Sequence, residues 1–236
     1  MDQRAFRRTM RTLESRYPTD RWTVGMSVFE VLVSTILSQS TTVVNERRGL
    51  QDLRCRVGAL TPERLADQPV EKIARAIWHA GLARQKAPRI RATAAAIRDR
   101  WGGHIERILA LPTERARAEL TALPGVGPKT ADVVLAMAGR HPTFPVDTHI
   151  ARIAHRWELT RHKNYESIRA ALERWTPPDK RTTWHLAIIA HGRALCKARI
   201  PRCLECPVRR DCDWFRRTPS QRGRPRSRPR HAPTKG

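Results

Sequence analysis

Residues 123–132 read L-P-G-V-G-P-K-T-A-D and separate a helical segment, Thr113–Thr121, from a second helix predicted to begin near Lys129. The two glycines permit a tight turn and let a ligand approach the backbone closely. The N-terminus of the following helix offers unbonded N–H groups that suit a phosphate. These residues are equally consistent with an ordinary turn between helices. The candidate phosphate-binding residues of the turn are Leu123, Gly125, Val126 and Gly127.

Lys129 is a candidate nucleophile at the start of that second helix. A lysine is normally protonated and inert, with a pKa of about 10.4. A helix N-terminus and a cationic, partly dry setting both disfavour its charged form, and a neutral amine can attack an electrophilic carbon. The same position also suits a lysine that only contacts a phosphate, and position alone does not choose between the two.

Asp147 lies in the sequence V-D-T-H at 146–149, immediately before a regular apolar stripe. An aspartate in this position is typical of a helix N-cap. A capping carboxylate is held ionised and fixed in place, so it can also stabilise positive charge that develops on a sugar ring. Asp147 is therefore predicted to cap a helix and to be a second catalytic candidate.

The composition favours a polyanionic partner. The 236 residues contain 46 Lys and Arg but 22 Asp and Glu, which gives a net charge of +24. This charge is spread along the chain and indicates nucleic acid; an anionic membrane surface is the alternative, but no basic amphipathic helix with an aromatic face supports it. No apolar run approaches the roughly 20 residues of a membrane span, and the N-terminus lacks the apolar stretch of a signal peptide. A cytoplasmic protein is expected.

Apolar residues recur at helical spacing in much of the chain, and no alternating strand pattern is seen. Pro and Gly punctuate these segments. The sequence therefore predicts an all-α fold of about ten short helices. The periodic segments are Val28–Leu37, 73–78, 90–97, 150–157 and 168–175.

Four of the five cysteines form the pattern C-x6-C-x2-C-x5-C near the C-terminus, at Cys196, Cys203, Cys206 and Cys212. Four thiolates within seventeen residues can surround one metal centre. Structural zinc is the alternative, but zinc ribbons usually show two close pairs and only one close pair occurs here. The spacing favours an iron–sulfur centre. The fifth cysteine, Cys55, is expected to be a small buried or half-buried residue.

Basic residues surround these cysteines and continue beyond them. Lys197, Arg199 and Arg202 lie between the ligands and are candidate phosphate contacts. From residue 216 onward there are seven Arg, one Lys, four Pro and no acidic residue. Such a segment cannot bury enough apolar area to fold alone, so 216–236 is predicted to be a disordered basic tail with salt-sensitive affinity for phosphates.

Taken together, the hairpin, the lysine, the aspartate and the four cysteines resemble the endonuclease III family of DNA glycosylases, a branch of the helix-hairpin-helix superfamily. The resemblance covers roughly residues 20 to 215. Further matching segments are L-S-Q-S-T at 37–41, G-L at 81–82, and H-G-R at 191–193 leading into Cys196.

The resemblance implies a bifunctional glycosylase and abasic-site (AP) lyase. Lys129 matches the lysine that attacks C1′ of the damaged nucleotide, and Asp147 the aspartate that assists base loss and lysine activation. Gln39 and Leu82 match residues that fill the space left by the extruded nucleotide; from the residues alone, a helix-end glutamine and a core leucine are the simpler readings. The four cysteines match the ligands of a 4Fe–4S cluster. Substrates would be oxidised or ring-saturated pyrimidines and abasic sites in double-stranded DNA, bound by a monomer at the nucleoid.

The implied fold has two lobes with a DNA groove between them. A helix-barrel lobe at 22–141 carries the hairpin, and residues 1–21 with 142–215 form the cluster lobe. Thr42 stands where many relatives carry an acidic residue, and the segment after it is one residue shorter. This segment borders the lesion pocket and bears on substrate preference. Pro128 replaces a basic or polar residue before the lysine and fits a helix start.

Other functions fit part of this pattern. A mismatch or adenine glycosylase of the same fold generally lacks the lysine, so Lys129 argues against it. A pyrimidine-dimer glycosylase shares every motif. A non-catalytic metal-containing DNA-binding protein explains the charge, the hairpin and the cysteines but leaves the pairing of Lys129 with Asp147 unexplained.

Overall fold

A computed structural model describes residues 1–20 and 22–218, and all regular structure within them is helical. The all-α prediction is confirmed. Four short 3₁₀ turns accompany thirteen α-helices in this part of the chain. The helices are α1 (Gln3–Arg16), α2 (Val28–Leu37), α3 (Val43–Val57), α4 (Pro62–Ala66), α5 (Val70–Ala76), α6 (Ala83–Trp101), α7 (Glu106–Leu109), α8 (Thr113–Thr121), α9 (Pro128–Met137), α10 (Thr148–Arg156), α11 (Tyr165–Trp175), α12 (Arg181–Ala194) and α13 (Asp213–Arg217).

Local sequence signals set the helix ends. At α2 the Ser27 hydroxyl accepts a hydrogen bond from the Glu30 N–H, and the Glu30 carboxylate accepts one from the Ser27 N–H, which is a complete capping box. The bounds of α2 and α8 coincide with the helical segments predicted at Val28–Leu37 and Thr113–Thr121. The expected number of about ten helices is too low, because α4, α7 and α13 have only four or five residues and are too short to show a period.

The first of two large apolar cores is built by helices α2 to α9. Helix α2 lies at its centre, since every residue from Val31 to Leu37 is buried. Leu123 and Val126 of the hairpin turn are buried in the same core, with 2% and 5% of their surface exposed. The turn is therefore fastened to the lobe by its own apolar side chains.

The second core joins the first helix of the chain to the last third of the sequence. Phe6 of α1 is fully buried, and its ring contacts three tryptophans edge to face. The ring centroids lie 6.3 Å from Trp157, 5.5 Å from Trp175 and 5.7 Å from Trp184. This cluster explains why α1 packs beside α12. The lobe boundaries at residues 22 and 141 stay a prediction.

Two local expectations were wrong. Cys55 is exposed on α3, because it lies on the face opposite the buried Leu53 and Val57. Arg216 and Arg217 belong to α13, where they pair with Asp213 and Glu158, so the tail does not begin at residue 216. The rest of the predicted tail, 219–236, lies outside the described residues. No helix in the described part of the chain is long and apolar enough to cross a bilayer.

The aromatic cluster generates a prediction about stability. Phe6→Ala should lower the free energy of unfolding by about 3–5 kcal/mol, because it leaves a cavity among three tryptophan rings. Urea unfolding followed by tryptophan fluorescence measures the change. The control is Arg7→Ala on the exposed face of α1, which should cost less than about 0.5 kcal/mol. A loss below about 1 kcal/mol for Phe6→Ala would contradict a role for α1 in this core.

Candidate active site

The hairpin presents free backbone N–H groups between α8 and α9. Gly125 adopts φ +77°, and a Cβ atom at this position would lie 2.8 Å from the Arg89 side chain, so a larger residue does not fit. Val126 donates its N–H to Leu123 O at 3.1 Å, which closes the turn. Among the described residues, no acceptor bonds the N–H groups of Gly125 and Gly127. These two amides are available to a phosphate.

Lys129 lies in the first turn of α9, directly after the N1 residue Pro128, and its side chain is half-buried. Burial lowers the pKa of Lys129 below its ordinary value; the Asp147 carboxylate opposes this, and the Arg193 guanidinium lowers the pKa further. Within the described residues no carboxylate oxygen lies within 4.0 Å of its Nζ atom. The amine is therefore not neutralised in an ion pair and can lose its proton.

Asp147 is the N-cap of α10, as its sequence pattern predicts. One carboxylate oxygen, Oδ1, accepts a hydrogen bond from the Ile150 N–H at 2.8 Å. The other oxygen has no partner among the described residues. The capping bond fixes the carboxylate, while its free oxygen leaves a negative charge near Lys129.

Two adjoining cavities contain both Lys129 and Asp147. The first, of about 680 Å³, runs between residues 38–43 and 146–149 and also touches Arg193. The second, of about 650 Å³, is lined by residues of α2, α3, α9 and α12 and has a mixed wall of apolar, polar and charged side chains. The lysine and the aspartate thus lie where a groove meets a deeper pocket, which is the arrangement expected for an extruded nucleotide.

Sequence reasoning missed two residues of this site. In the sequence, Arg193 is marked only by the H-G-R match. Its lowering of the Lys129 pKa depends on the tertiary structure. His185 is buried in the deeper cavity, and burial lowers its pKa to about 4. Its Nδ1–H donates to Pro145 O at 2.9 Å, which fixes the neutral tautomer. No local pattern marks either residue as functional.

A buried polar network joins the two lobes beside the catalytic candidates. Asp132, one turn after Lys129 on α9, accepts hydrogen bonds from Arg117 Nε at 2.9 Å and from the Tyr165 hydroxyl at 2.7 Å. The Tyr165 oxygen in turn accepts from the Val146 N–H at 3.4 Å, next to Asp147. Burial and the neighbouring Asp132 raise the pKa of Tyr165, so it remains a donor. The network therefore fixes the position of α9 relative to the backbone next to Asp147.

Gln39 and Leu82, the predicted space-filling residues, stand at the ends of two adjacent loops. Leu82 is 48% exposed with φ +51°, so it is not the core leucine that its sequence alone suggested. Gln39 follows the end of α2, lines the groove and donates to Thr130 Oγ1 at 3.4 Å. Their use on DNA stays a prediction.

Lys86 connects the two loops that carry these residues. Lys86 is 1% exposed, and its ammonium group donates to Leu37 O at 2.7 Å and to Ala80 O at 2.8 Å, each two residues before a space-filling candidate. Burial lowers the pKa of Lys86. A buried lysine bonded to two carbonyl groups fixes the spacing of the loops.

The four cysteines line one small cavity in the second lobe. Burial raises the pKa values of Cys203 and Cys212 and raises that of Cys206 to about 12. The sulfur of Cys196 accepts a hydrogen bond from Arg156 Nη1 at 3.0 Å. The backbone N–H groups of residues 208 and 215 oppose the effect of burial and lower the pKa values of Cys206 and Cys212. This setting suits thiolates that become ionised only on binding a cationic centre.

The cations predicted between the ligands are exposed on the loop that the cysteines enclose. Lys197 and Arg199 have no ion-pair partner in the described residues, whereas Arg202 is paired with Glu205. The loop is attached to α10, because Arg156 donates to Lys197 O at 2.9 Å and to Ala198 O at 3.0 Å. A held loop with free cations is suited to phosphate contact, and this contact stays a prediction.

A groove that meets a deeper pocket, with a partly desolvated lysine and a fixed carboxylate at their junction, is suited to a DNA glycosylase. Residues 33–178 match the model of the HhH-GPD superfamily base excision DNA repair proteins. The chain belongs to that superfamily and, within it, to the endonuclease III family.

Individual relatives agree with this assignment. Endonuclease III of Sulfolobus acidocaldarius is 36% identical over 191 residues, which cover 80% of this chain and 83% of the relative. Endonuclease III of Escherichia coli K12 is 35% identical over 188 residues, covering 80% and 84%. The resemblance noted in the sequence is confirmed, and the chain is a DNA glycosylase of this superfamily.

Solved structures support the fold. A trapped covalent endonuclease III–DNA intermediate superimposes with a TM-score of 0.81 at 28% identity and covers 92% of this chain and 98% of its own. A thermostable thymine-DNA glycosylase, at 21% identity, shares the fold with a TM-score of 0.78. The helix-hairpin-helix glycosylase fold predicted from the sequence is confirmed.

The charge at Arg193 generates a prediction about pH dependence. The positive charge of Arg193 disfavours protonated Lys129, so Arg193→Gln should raise the lysine pKa and move the rising limb of the pH–rate profile for covalent DNA trapping to higher pH. The measurement is best made at low ionic strength, because Arg193 is exposed and its field is screened by salt. Arg210→Gln, which removes an exposed cation outside both cavities, should leave the midpoint in place. Equal profiles for wild type and Arg193→Gln would contradict the interpretation.

Proposed function

We propose that this glycosylase is bifunctional, removing oxidised or ring-saturated pyrimidines from double-stranded DNA and nicking the strand 3′ to the resulting site. The observation that supports this most is Lys129, a half-buried lysine whose pKa is lowered by burial and which has no ion-pair partner within 4.0 Å among the described residues. A glycosylase that used only water would have no need of a desolvated amine at the mouth of its pocket.

Base removal follows from the geometry around that amine. Neutral Lys129 Nζ attacks C1′ of the extruded nucleotide, the bond between C1′ and the base breaks, and the electron pair leaves with the base. Positive charge that develops on the sugar is stabilised by Asp147, whose carboxylate is held by its capping bond to Ile150. Deprotonation and ring opening then give an imine between Nζ and C1′.

Strand cleavage uses the same intermediate. The protonated imine acidifies the C2′–H bond, a base removes this proton, and the C3′–O bond breaks with the phosphate as leaving group. Water then hydrolyses the imine and restores the lysine. The free oxygen of Asp147 is a suitable acceptor for protons in this sequence.

The proposed DNA interface combines the hairpin, two wedge residues and the cysteine loop. The amides of Gly125 and Gly127 would bind one phosphate, with Leu123 and Val126 shaping the turn from within the core. Gln39 and Leu82 would enter the space left by the flipped nucleotide. Lys197, Arg199 and Arg202 would contact the backbone. We propose a monomer that acts on nucleoid DNA.

The four cysteines would hold a 4Fe–4S cluster, which would supply a structural centre for the loop of 196–212 and a site of electron exchange. No three His, Cys, Asp or Glu side chains in the described residues are grouped tightly enough to ligate a single metal ion. Structural zinc, the alternative, would need such a group of ligands. The donor set of four thiols, one of which accepts a hydrogen bond from Arg156, fits the cluster.

Other functions compatible with the sequence are less well supported. A mismatch glycosylase does not need Lys129, and a non-catalytic binding protein does not need the pairing of Lys129 with Asp147 in one cavity. A pyrimidine-dimer glycosylase uses the same groups and differs in its pocket, so a panel of single-lesion duplexes separates it from the proposed function.

Covalent trapping tests the proposed nucleophile. Wild-type protein incubated with a duplex containing one abasic site and borohydride should give a stable protein–DNA adduct, because reduction locks the imine. Lys129→Ala should give none, and Asp147→Asn should form it about 100-fold more slowly.

Lys163→Ala provides the comparison, since it removes another lysine of the same groove and should still form the adduct. Undiminished trapping in Lys129→Ala, or no adduct with wild type, would refute the lyase proposal.

Colour and metal content test the proposed cofactor. Purified protein should be yellow-brown from sulfur-to-iron charge transfer, and Cys203→Ser should lose colour and iron together. Cys55→Ser is the matched control, because Cys55 is exposed on α3 and should not affect either. Colourless wild-type protein with one zinc per chain would overturn the cluster.

A further inference from the structure

The deeper of the two cavities has two carboxylates in its wall, Asp147 and Glu46. Glu46, in the first turn of α3, is 8% exposed and lines both this cavity and the adjoining groove. Around it the cavity is lined by Trp22, Met26, Leu50, Val133, Met137 and Ile189. None of the steps proposed above uses Glu46.

The geometry of Glu46 makes it an oriented acceptor. Its Oε1 atom accepts a hydrogen bond from the buried Ser34 hydroxyl at 2.5 Å. Its Oε2 atom has no partner among the described residues. Oε2 is also not fully enclosed by protein. The fully buried side-chain polar atoms that lack a partner in this part of the chain belong to four other residues, Thr9, Trp101, Thr176 and Arg181. One carboxylate oxygen is therefore open to the cavity.

Glu46 forms no ion pair within 4.0 Å in the described residues, although Arg47, Lys129 and Arg193 line the same cavity. Arg54, on the same helix, is paired with Glu30 at 2.9 Å. The hydroxyl groups of Thr35 and Ser38 donate to backbone carbonyl groups of their own helix at 2.7 and 2.8 Å. A charged carboxylate in a partly dry wall strongly attracts a hydrogen-bond donor and repels an acceptor.

We infer that Glu46 determines which extruded bases are accepted, by taking a hydrogen bond from an exocyclic amine. This inference rests on the proposed glycosylase function. An amine presents N–H donors to the carboxylate, whereas a carbonyl group at the same ring position presents lone pairs to it. Glu46 therefore selects oxidised pyrimidines that keep the amino group of cytosine over those in which a carbonyl group has replaced it.

A negative charge in the first turn of a helix interacts favourably with the helix dipole. Stabilisation of α3 is therefore the alternative role for Glu46. It predicts an effect on stability alone. Direct base contact instead predicts an effect that depends on the group at one ring position. The alternatives are thus separable by a pair of lesions that differ only at this position.

The test uses duplexes with a single 5-hydroxycytosine or a single 5-hydroxyuracil, each opposite guanine, under single-turnover conditions. Wild-type holoenzyme should remove 5-hydroxycytosine faster. Glu46→Gln should reduce the ratio of the two rates by about ten-fold, because a neutral amide donates as well as accepts and no longer repels the carbonyl group. Ser34→Ala should reduce the ratio less, since it keeps the charge and loses only its orientation.

A preformed abasic duplex provides the control reaction, because it has no base for Glu46 to contact. If Glu46→Gln changes only base selection, trapping on this duplex should stay at the wild-type rate. A loss of lyase activity would lower it. Glu71→Gln, an exposed glutamate of α5, is the control variant and should keep the wild-type ratio. An unchanged ratio in Glu46→Gln, or a wild-type preference for 5-hydroxyuracil, would overturn the inference even if the lyase is intact. A fall in thermal stability with no change in ratio would assign Glu46 to the helix alone.

Discussion

The hydrogen bonds around Asp132 are the constraint on which the active site depends. This fully buried carboxylate is bonded by Arg117 from the first lobe and by Tyr165 from the second. Removal of Arg117 would leave the buried charge of Asp132 without its ion-pair partner, which commonly costs about 3–5 kcal/mol. Because Lys129 lies one turn earlier on the same helix and Val146 is bonded to Tyr165, the network fixes the nucleophile against Asp147.

The site is built from charges that are kept apart. Lys129 is partly desolvated and close enough to Asp147 and Arg193 for both to alter its pKa, yet in the described residues no carboxylate oxygen approaches its nitrogen within 4.0 Å. A direct ion pair would hold the lysine protonated. The capping bond from the Ile150 N–H holds the Asp147 carboxylate in place and keeps it from forming an ion pair with Lys129. Both groups therefore stay available to a nucleotide.

Rigid supports surround the surface proposed to meet DNA. Buried Leu123 and Val126 anchor the hairpin turn, and Lys86 joins the loops of Gln39 and Leu82 through two carbonyl groups. Arg156 attaches the cysteine loop to α10. A flipped nucleotide costs a few kcal/mol to extrude, and contacts that are already ordered need no further entropy loss on binding.

By itself the sequence determined the helical class, the hairpin, the cap at Asp147 and the group of four cysteines, because each is encoded in neighbouring residues by period, turn chemistry or ligand spacing. The tertiary structure alone decided the roles of Tyr165, Lys86, Arg193 and Glu46, and it reversed the expectation for Cys55. Most contacts of the first four residues join positions that lie 12 to 64 apart in the sequence, and Cys55 lies on a helix face that becomes exposed only through packing. No local pattern encodes such contacts, since burial and pairing between distant helices depend on how all of them pack.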